Sequence, residues 1–355
     1  GRASRVLDST FSCLPLDHDM GLNGGLFYAL MNRLELFLYP PHAFAGRPEV
    51  WLQRLGAHGV SLATGPNFGY QLCVERVAPE KAAKLDLSSW RAALTGAEMI
   101  RRDTLDAFVE RFGPSGFDRR AIRPCYGMAE ATLAITLDRA GEGLRTRPLP
   151  SGAEAGLGLS ELVSTGPPLP DTELRIAAPD GSLLRDGEVG EVEVRGPGVF
   201  LGYHGDPDAT DEALRDGWLR TGDLGFLAGG ELYLAGRLKD LLIVRGQNLM
   251  PHELEWLAEG ASGGGGAQRA AAFSIAPDAA GEQVVLVLEV DPRDPDKLAG
   301  LADEVRSRIG QALALPVADV AFVRRGRIPK TTSGKVQRAE LRRRYLAGEL
   351  ERLND

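Results

Sequence analysis

The chain has 355 residues, of which 43% are hydrophobic and 25% charged, with a formal net charge of -8. That length allows two or three domains of a globular protein, and the negative balance excludes nucleic acid as the main partner, because phosphate backbones demand a basic face. Three cysteines far apart (Cys13, Cys73 and Cys125) offer no metal spacing or disulfide framework and suit a reducing cytoplasm, and the longest apolar run, around Val284–Leu288, is far short of the ~18 residues needed to span a bilayer. The first residue is Gly1, so the N-terminus reads as a cut, and no signal peptide is expected.

In chain order, short apolar runs (Phe11–Leu16, Leu34–Tyr39, Val60–Ala63, Ala121–Cys125) alternate with stretches of helical period (Pro48–Gly56, Asn67–Val77, Ile100–Phe112). This alternation predicts a parallel or mixed sheet covered by helices. Leu22–Tyr39 reads as a buried helix followed by a strand, and 137–161, rich in Gly, Pro and Ala, as loop. Glu173–Ala177 and Glu191–Arg195 read as strands, with a hairpin turn at Asp180-Gly181. A second hairpin is predicted where Gly229-Gly230 separates two apolar runs. An α+β unit follows Arg237, with strands Leu241–Val244, Ala270–Ile275, Val284–Val290 and Val320–Arg324. Its helices fall near Pro251–Ala258, Lys297–Leu313 and Lys335–Leu350, and Ser262–Gly266 is a flexible loop. The expected fold class is therefore mixed α/β. Residues 1–161 form a β/α part, 162–237 a small antiparallel barrel-like part, and 238–355 a separate α+β domain.

Four stretches concentrate chemistry. Tyr126-Gly127-Met128-Ala129-Glu130 follows a predicted strand and is expected to open a helix. There an aromatic ring can lie on a purine, a helix N-terminus favours an anion, and a carboxylate can hold Mg²⁺. By itself the stretch reads more readily as a strand-to-helix turn with a packing Tyr and a solvated Glu. Leu219–Gly225 places Asp223 between two glycines, either an Asx-type turn or a carboxylate presented to a vicinal diol. Arg237–Asp240 leads into Leu241–Asn248, with Gly246-Gln247-Asn248 as a polar turn before a helix started by Pro251. In the last stretch, Ile328–Arg338, Thr332 or Ser333 is expected to cap a helix beginning near Lys335. A lysine in a first helical turn opposes the helix dipole by about 0.3–1 kcal/mol, which points to a use other than stability. Pro329 and Val336 exclude a Walker phosphate loop. Only six of the 41 basic residues are lysines, which adds interest to Lys335.

The order Tyr-Gly-x-Ala-Glu, Thr-Gly-Asp, Gly-Arg-x-Lys-Asp and Pro-Lys-Thr-x-Ser-Gly-Lys resembles the signature of the adenylate-forming superfamily. That superfamily contains acyl-CoA synthetases, peptide-synthetase adenylation domains and luciferase. Leu14–Leu22, Gly65–Tyr70, Gly96-Ala97-Glu98 and Arg237–Asn248 resemble its fatty acyl-AMP ligase branch. The resemblance spans essentially the whole chain. It implies ATP-dependent activation of a fatty acid as acyl-AMP, with transfer to an acyl carrier protein.

The resemblance also implies roles. Tyr126 stacks on adenine, in a pocket lined by Gly96, Ala97, Glu98, Gly127, Met128 and Ala129. Glu130 holds Mg²⁺ beside the α-phosphate, and Asp223 with Arg237 takes the ribose. Lys335 bridges carboxylate and phosphate oxygens as the adenylate forms. His18, Asp19, Gly65, Asn67 and Tyr70 border the acyl tunnel, and Asp240 is the hinge of a mobile C-terminal domain. Departures accompany the likeness. The Ser/Thr/Gly-rich loop that grips the β- and γ-phosphates in such ligases is not found ahead of His18, so the chain alone is expected to bind nucleotide without turning over ATP. Asp17 stands where the branch usually has an aromatic, and 133–161 is shorter than its insertion. An acyl-CoA synthetase and a non-catalytic acyl- or AMP-binding remnant are the alternative readings.

Overall fold

The computed structural model describes residues 8–150, 161–244, 247–261, 269–275, 282–290, 295–331 and 335–354. The expected loop at Ser262–Gly266 and the expected caps Thr332 and Ser333 lie outside the described residues. The chain divides into two compact units. The first holds Gly1–Pro148, Glu161–Thr221 and Gly225–Leu234, and the second holds Leu149–Ser160, Gly222–Leu224 and Ala235–Asp355.

The first unit begins with strand β1 (Ser9–Ser12), a π-helical turn (Met20–Phe27), helix α1 (Tyr28–Asn32), β2 (Glu35–Leu38), α2 (Pro41–Gly46) and α3 (Pro48–Ala57). It continues through β3 (Leu62–Gly65), α4 (Asn67–Arg76), α5 (Pro79–Ala82), β4 (Ala92–Thr95), α6 (Arg102–Phe112), β5 (Ile122–Gly127) and β6 (Ala134–Leu137). The strands form one sheet in the order β2-β1-β3-β4-β5-β6. β1 to β5 run parallel, and β6 is antiparallel to β5. Helix α3 starts on Pro48 and buries Trp51, Leu52 and Leu55, while α6 buries Thr104, Leu105, Phe108 and Phe112. These are the single-face spacings of an amphipathic helix. Between them Trp90 packs edge-on to Trp51 at 5.4 Å and to Phe117 at 5.1 Å, inside a core that also takes Tyr70 and Phe108.

Two expectations here are corrected. The segment after Leu22 is helical, but it is not buried: Leu30 and Met31 are 63% and 85% exposed. Gly25 and Ala29 are buried, while Phe27, Tyr28, Leu30 and Met31 face outward. Second, 137–161 is not all loop. Thr146–Pro148 forms β7, paired antiparallel with β8 (Glu161–Val163), and 151–160 lies outside the described residues.

An antiparallel sheet follows. It contains β9 (Glu173–Ala177), β10 (Gly190–Arg195), then after helix α7 (Pro207–Ala213) β11 (Leu214–Arg215), β12 (Trp218–Ala228) and β13 (Glu231–Arg237). The order is β11-β12-β10-β9, with β13 on β12. Gly229 and Gly230, at φ 61° and 79°, make the two-residue turn read from the sequence, since such hairpins need positive φ at both centres. Trp218 lies beneath two guanidinium groups, Arg175 at 4.1 Å and Arg195 at 4.6 Å from the ring centre.

The second unit opens with the β14 (Leu242–Val244) and β15 (Gln247–Leu249) hairpin and α8 (Pro251–Ala261). Gln247-Asn248 is therefore strand and not turn, because its backbone pairs with Ile243 and Val244. β16 (Arg269–Ile275), β17 (Gln283–Val290) and β18 (Val317–Arg324) form a sheet, antiparallel between β16 and β17 and parallel between β17 and β18. It is accompanied by α9 (Pro295–Leu313) and α10 (Arg338–Leu346). β17 alternates Val284, Leu286 and Leu288 into one core with Val285 and Val287 into another, as a strand covered on both faces must. The fold is thus mixed α/β, with a parallel-sheet part, a curled antiparallel sheet and a separate small α+β domain.

An ionic cluster joins the segments that follow β6 and β8 to the start of β13 in the first unit. Arg145 donates to Glu231 Oε2 (2.8 Å), to Glu142 Oε2 (2.7 Å) and to Asp138 Oδ1, while the Ser164 hydroxyl also donates to Glu231 (2.8 Å). The Asp138 side chain is 1% exposed, and burial pushes its carboxyl above the usual range despite Arg145. Burial also opposes the charge on Glu231, but its bonds to Arg145 and Ser164 prevail and hold its carboxyl below that range. Replacing Arg145 by Ala leaves two buried carboxylates uncompensated, so urea denaturation at neutral pH should show a loss of about 3 kcal/mol. Unchanged stability would contradict this assignment.

Candidate functional site

The parallel pairing of β3, β4 and β5 brings their carboxyl ends to one edge of the sheet, where ligands of open α/β sheets bind. Gly65 ends β3 and Asn67 opens α4, Gly96-Ala97-Glu98 follows β4, and Tyr126-Gly127 ends β5. Side chains stitch these ends together. Glu98 Oε1 accepts from the Phe68 N–H (2.6 Å) at the start of α4, where a carboxylate also favours the helix dipole. The buried Asn67 Oδ1 accepts from the Arg101 N–H (3.0 Å), and the Cys125 thiol donates to the Thr95 carbonyl (3.3 Å). Ala97 sits at φ 67°, a left-handed conformation costing a non-glycine residue about 1–2 kcal/mol. Such strain persists only where surrounding contacts enforce it.

The neighbouring turns admit no side chain. A Cβ on Gly96 would stand 2.5 Å from the Cys125 carbonyl oxygen, and one on Gly127 would overlap the Leu133 carbonyl. Tyr70 is fully buried, parallel to Trp90 and edge-on to Phe108 at 5.0 Å, with its hydroxyl donating to the Leu94 carbonyl (3.1 Å). It belongs to the core behind this edge. Asp19 Oδ1 lies 2.6 Å from His18 Nδ1 and accepts from the Met20 N–H (2.7 Å), capping the first helical turn.

Tyr126 is 7% exposed, in a cluster with Ile135, Val192 and Leu219. The helix expected after it is not formed. Only a 3₁₀ turn, Ala129–Ala131, intervenes before β6 returns, with Tyr126 opposite Thr136. Antiparallel pairing reverses the chain too soon for a helix, and Thr132 takes φ 66° to permit it. The helix-dipole argument for an anion therefore falls, while the carboxylate remains. Glu130 Oε1 accepts from the Tyr203 hydroxyl (2.9 Å) and the Glu130 carbonyl from the Phe200 N–H (2.7 Å). Sequence reasoning missed Tyr203, whose only signal was an aromatic in the polar segment Gly202–Asp206.

Within the second unit, Asp223 is 6% exposed and accepts from Arg237 Nε (3.0 Å). It lies inside β12, not in a turn, because the ladder on both sides of that strand outweighs the flanking glycines. Lys335 is half-buried, and it precedes the helix: α10 begins at Arg338, with Gln337 at the N-cap position but making no side-chain cap. A bridge between Lys330 and Val336, with the Lys335 N–H donating to Thr331 Oγ1 (3.1 Å), holds it in extended backbone. The expected dipole opposition is absent for that reason. Arg338, also missed, grips Glu255 with two bonds (2.8 and 2.7 Å) and reaches Asp240 at 3.3 Å. Burial opposes its charge, and the two carboxylates more than restore it.

A family profile described as AMP-binding enzyme matches residues 2–204. The chain belongs to the AMP-binding enzyme family. Among its relatives is a protein of Caulobacter vibrioides provisionally called an acyl-CoA synthetase, 38% identical over 98% of this chain and 63% of its own length. The long-chain-fatty-acid–AMP ligase FadD26 of Mycobacterium tuberculosis is 37% identical over 97% of this chain and 63% of its length. A solved structure from work on fatty acyl-adenylate ligases of E. coli and L. pneumophila superposes with a TM-score of 0.87 at 33% identity, covering 96% of this chain and 63% of that one. The AMP-binding chain thus spans less than two thirds of the length of these relatives.

In this family member the close approach at Gly127 sets the turn that carries Glu130. Gly127→Ala should lower stability by about 1–3 kcal/mol, the usual cost of overpacking, measured by urea denaturation. A variant as stable as the parent would show that the β5–β6 turn has slack.

Proposed function

We propose that the chain carries the nucleotide- and acid-binding machinery of a fatty acyl-AMP ligase. A fatty carboxylate oxygen attacks the α-phosphorus of ATP, the bond from that phosphorus to the bridging oxygen breaks, and pyrophosphate leaves. Likeness over nearly the whole chain to relatives named for acid–AMP ligation is the observation that carries this reading, beside the family match over residues 2–204. Tyr126 stacks on adenine, in a pocket lined by Gly96, Ala97, Glu98, Gly127, Met128 and Ala129. Asp223, oriented by Arg237, accepts from the ribose hydroxyls. Lys335 donates to the carboxylate and phosphate oxygens where charge develops. His18, Asp19, Gly65 and Asn67 border the acyl chain, with Tyr70 supporting them from the core.

Mg²⁺ fits Glu130. One carboxylate oxygen accepts from Tyr203, and a single further oxygen donor suits a Mg²⁺ that takes its remaining ligands from phosphates and water. When bound, the ion would neutralise phosphate charge. Asp240 is the hinge, and an acyl carrier protein is the acceptor, its thiol displacing AMP from the acyl carbonyl. The relative called an acyl-CoA synthetase favours a second reading in which coenzyme A takes that place.

Pyrophosphate release with ATP, Mg²⁺ and a panel of fatty acids, assayed on a full-length ligase that carries these residues, tests the proposal. Lys335→Ala should lower the rate at least about 100-fold, the cost of losing one transition-state donor, with an unchanged melting temperature. A variant retaining most of its activity would remove Lys335 from this role. Supplying holo-carrier protein or coenzyme A separates the two acceptors, and acylation of the carrier is expected.

A further inference from the structure

Glu130 is held from a part of the chain 73 residues away. Its backbone carbonyl accepts from the Phe200 N–H, and the Thr132 hydroxyl in the same turn donates to the Gly198 carbonyl (2.7 Å). Its side chain meets Tyr203, whose ring packs edge-on to Phe200 at 4.8 Å. The Tyr203 N–H donates to Thr210 Oγ1 (2.9 Å), and that hydroxyl donates in turn to the Asp206 carbonyl (2.8 Å). The phenol is thus fixed at its backbone and at its ring, although Tyr203 is 41% exposed. A surface carboxylate with no such partner would sample several rotamers, and ordering a long side chain costs up to about 2 kcal/mol.

We propose that Tyr203 is a positioning residue: its hydroxyl fixes one Glu130 oxygen so that the other is presented, in one orientation, to a divalent cation carried by the nucleotide phosphates. The proposal rests on the reading of Glu130 given above. Removing the hydroxyl while keeping the ring should weaken only what passes through the carboxylate. The experiment compares ATP affinity with and without Mn²⁺ (EDTA present in the second case) for the unaltered protein, Tyr203→Phe and Glu130→Gln. In the unaltered protein Mn²⁺ should tighten ATP binding. Glu130→Gln should abolish that enhancement, and Tyr203→Phe should reduce it about tenfold, the size of one hydrogen bond to a charged group, leaving cation-free ATP affinity and the melting temperature unchanged. Equal weakening with and without Mn²⁺ would make Tyr203 merely structural and overturn the proposal. An intact enhancement in Tyr203→Phe beside a lost one in Glu130→Gln would overturn it while sparing the reading of Glu130. An enhancement untouched in both variants, or absent in the unaltered protein, would overturn that reading and the proposal with it.

Discussion

Parallel pairing of β3, β4 and β5 is the constraint on which the first unit depends. Parallel strands place their carboxyl ends together, and here each end hands over to a short segment dense in polar chemistry. The segments touch through main-chain and side-chain bonds of Glu98, Asn67 and Cys125. Backbone against backbone at Gly96 and Gly127 leaves no volume for a side chain.

The second unit manages charge differently. Arg338 spends its guanidinium on two carboxylates, and Glu255 also accepts from the Ala272 N–H (3.0 Å) in β16. The start of α10, the helix α8, the central sheet and the turn at Asp240 are thereby joined by one network. Lys335 stands three positions before Arg338 in the extended segment that enters α10. Its backbone is therefore held on both sides, by the Lys330–Val336 bridge and by the anchored helix.

Much of the fold was legible because its signals are local. Proline at the start of α3 and the single-face spacing of Trp51, Leu52 and Leu55 announce that helix, and Gly229-Gly230 announces its hairpin. What was illegible depends on partners distant in sequence. β4 (Ala-Ala-Leu-Thr) carries little strand propensity and is made a strand by the pairing of Leu62–Gly65 alongside it. The turn at Glu130 is not a helix because β6 pairs back on β5, and Asp223 is in a strand because ladders on either side override its flanking glycines. The residues proposed for the nucleotide and the reacting oxygens, Tyr126, Glu130, Asp223, Arg237 and Lys335, stand in four short stretches that the sequence displays directly. Their supports were not legible in this way: Tyr203 lies 73 residues from Glu130, and Arg338 lies 83 from Glu255.

The central claim is that these stretches serve one acyl-adenylate. The direct measurement is a crystal structure with a non-hydrolysable acyl-adenylate, in which the phosphate link is replaced by a sulfamate. The account predicts the Tyr126 ring on the adenine and the Asp223 carboxylate on the ribose hydroxyls of one bound molecule. An adenylate bound with neither contact, or with its ribose away from Asp223, would contradict it.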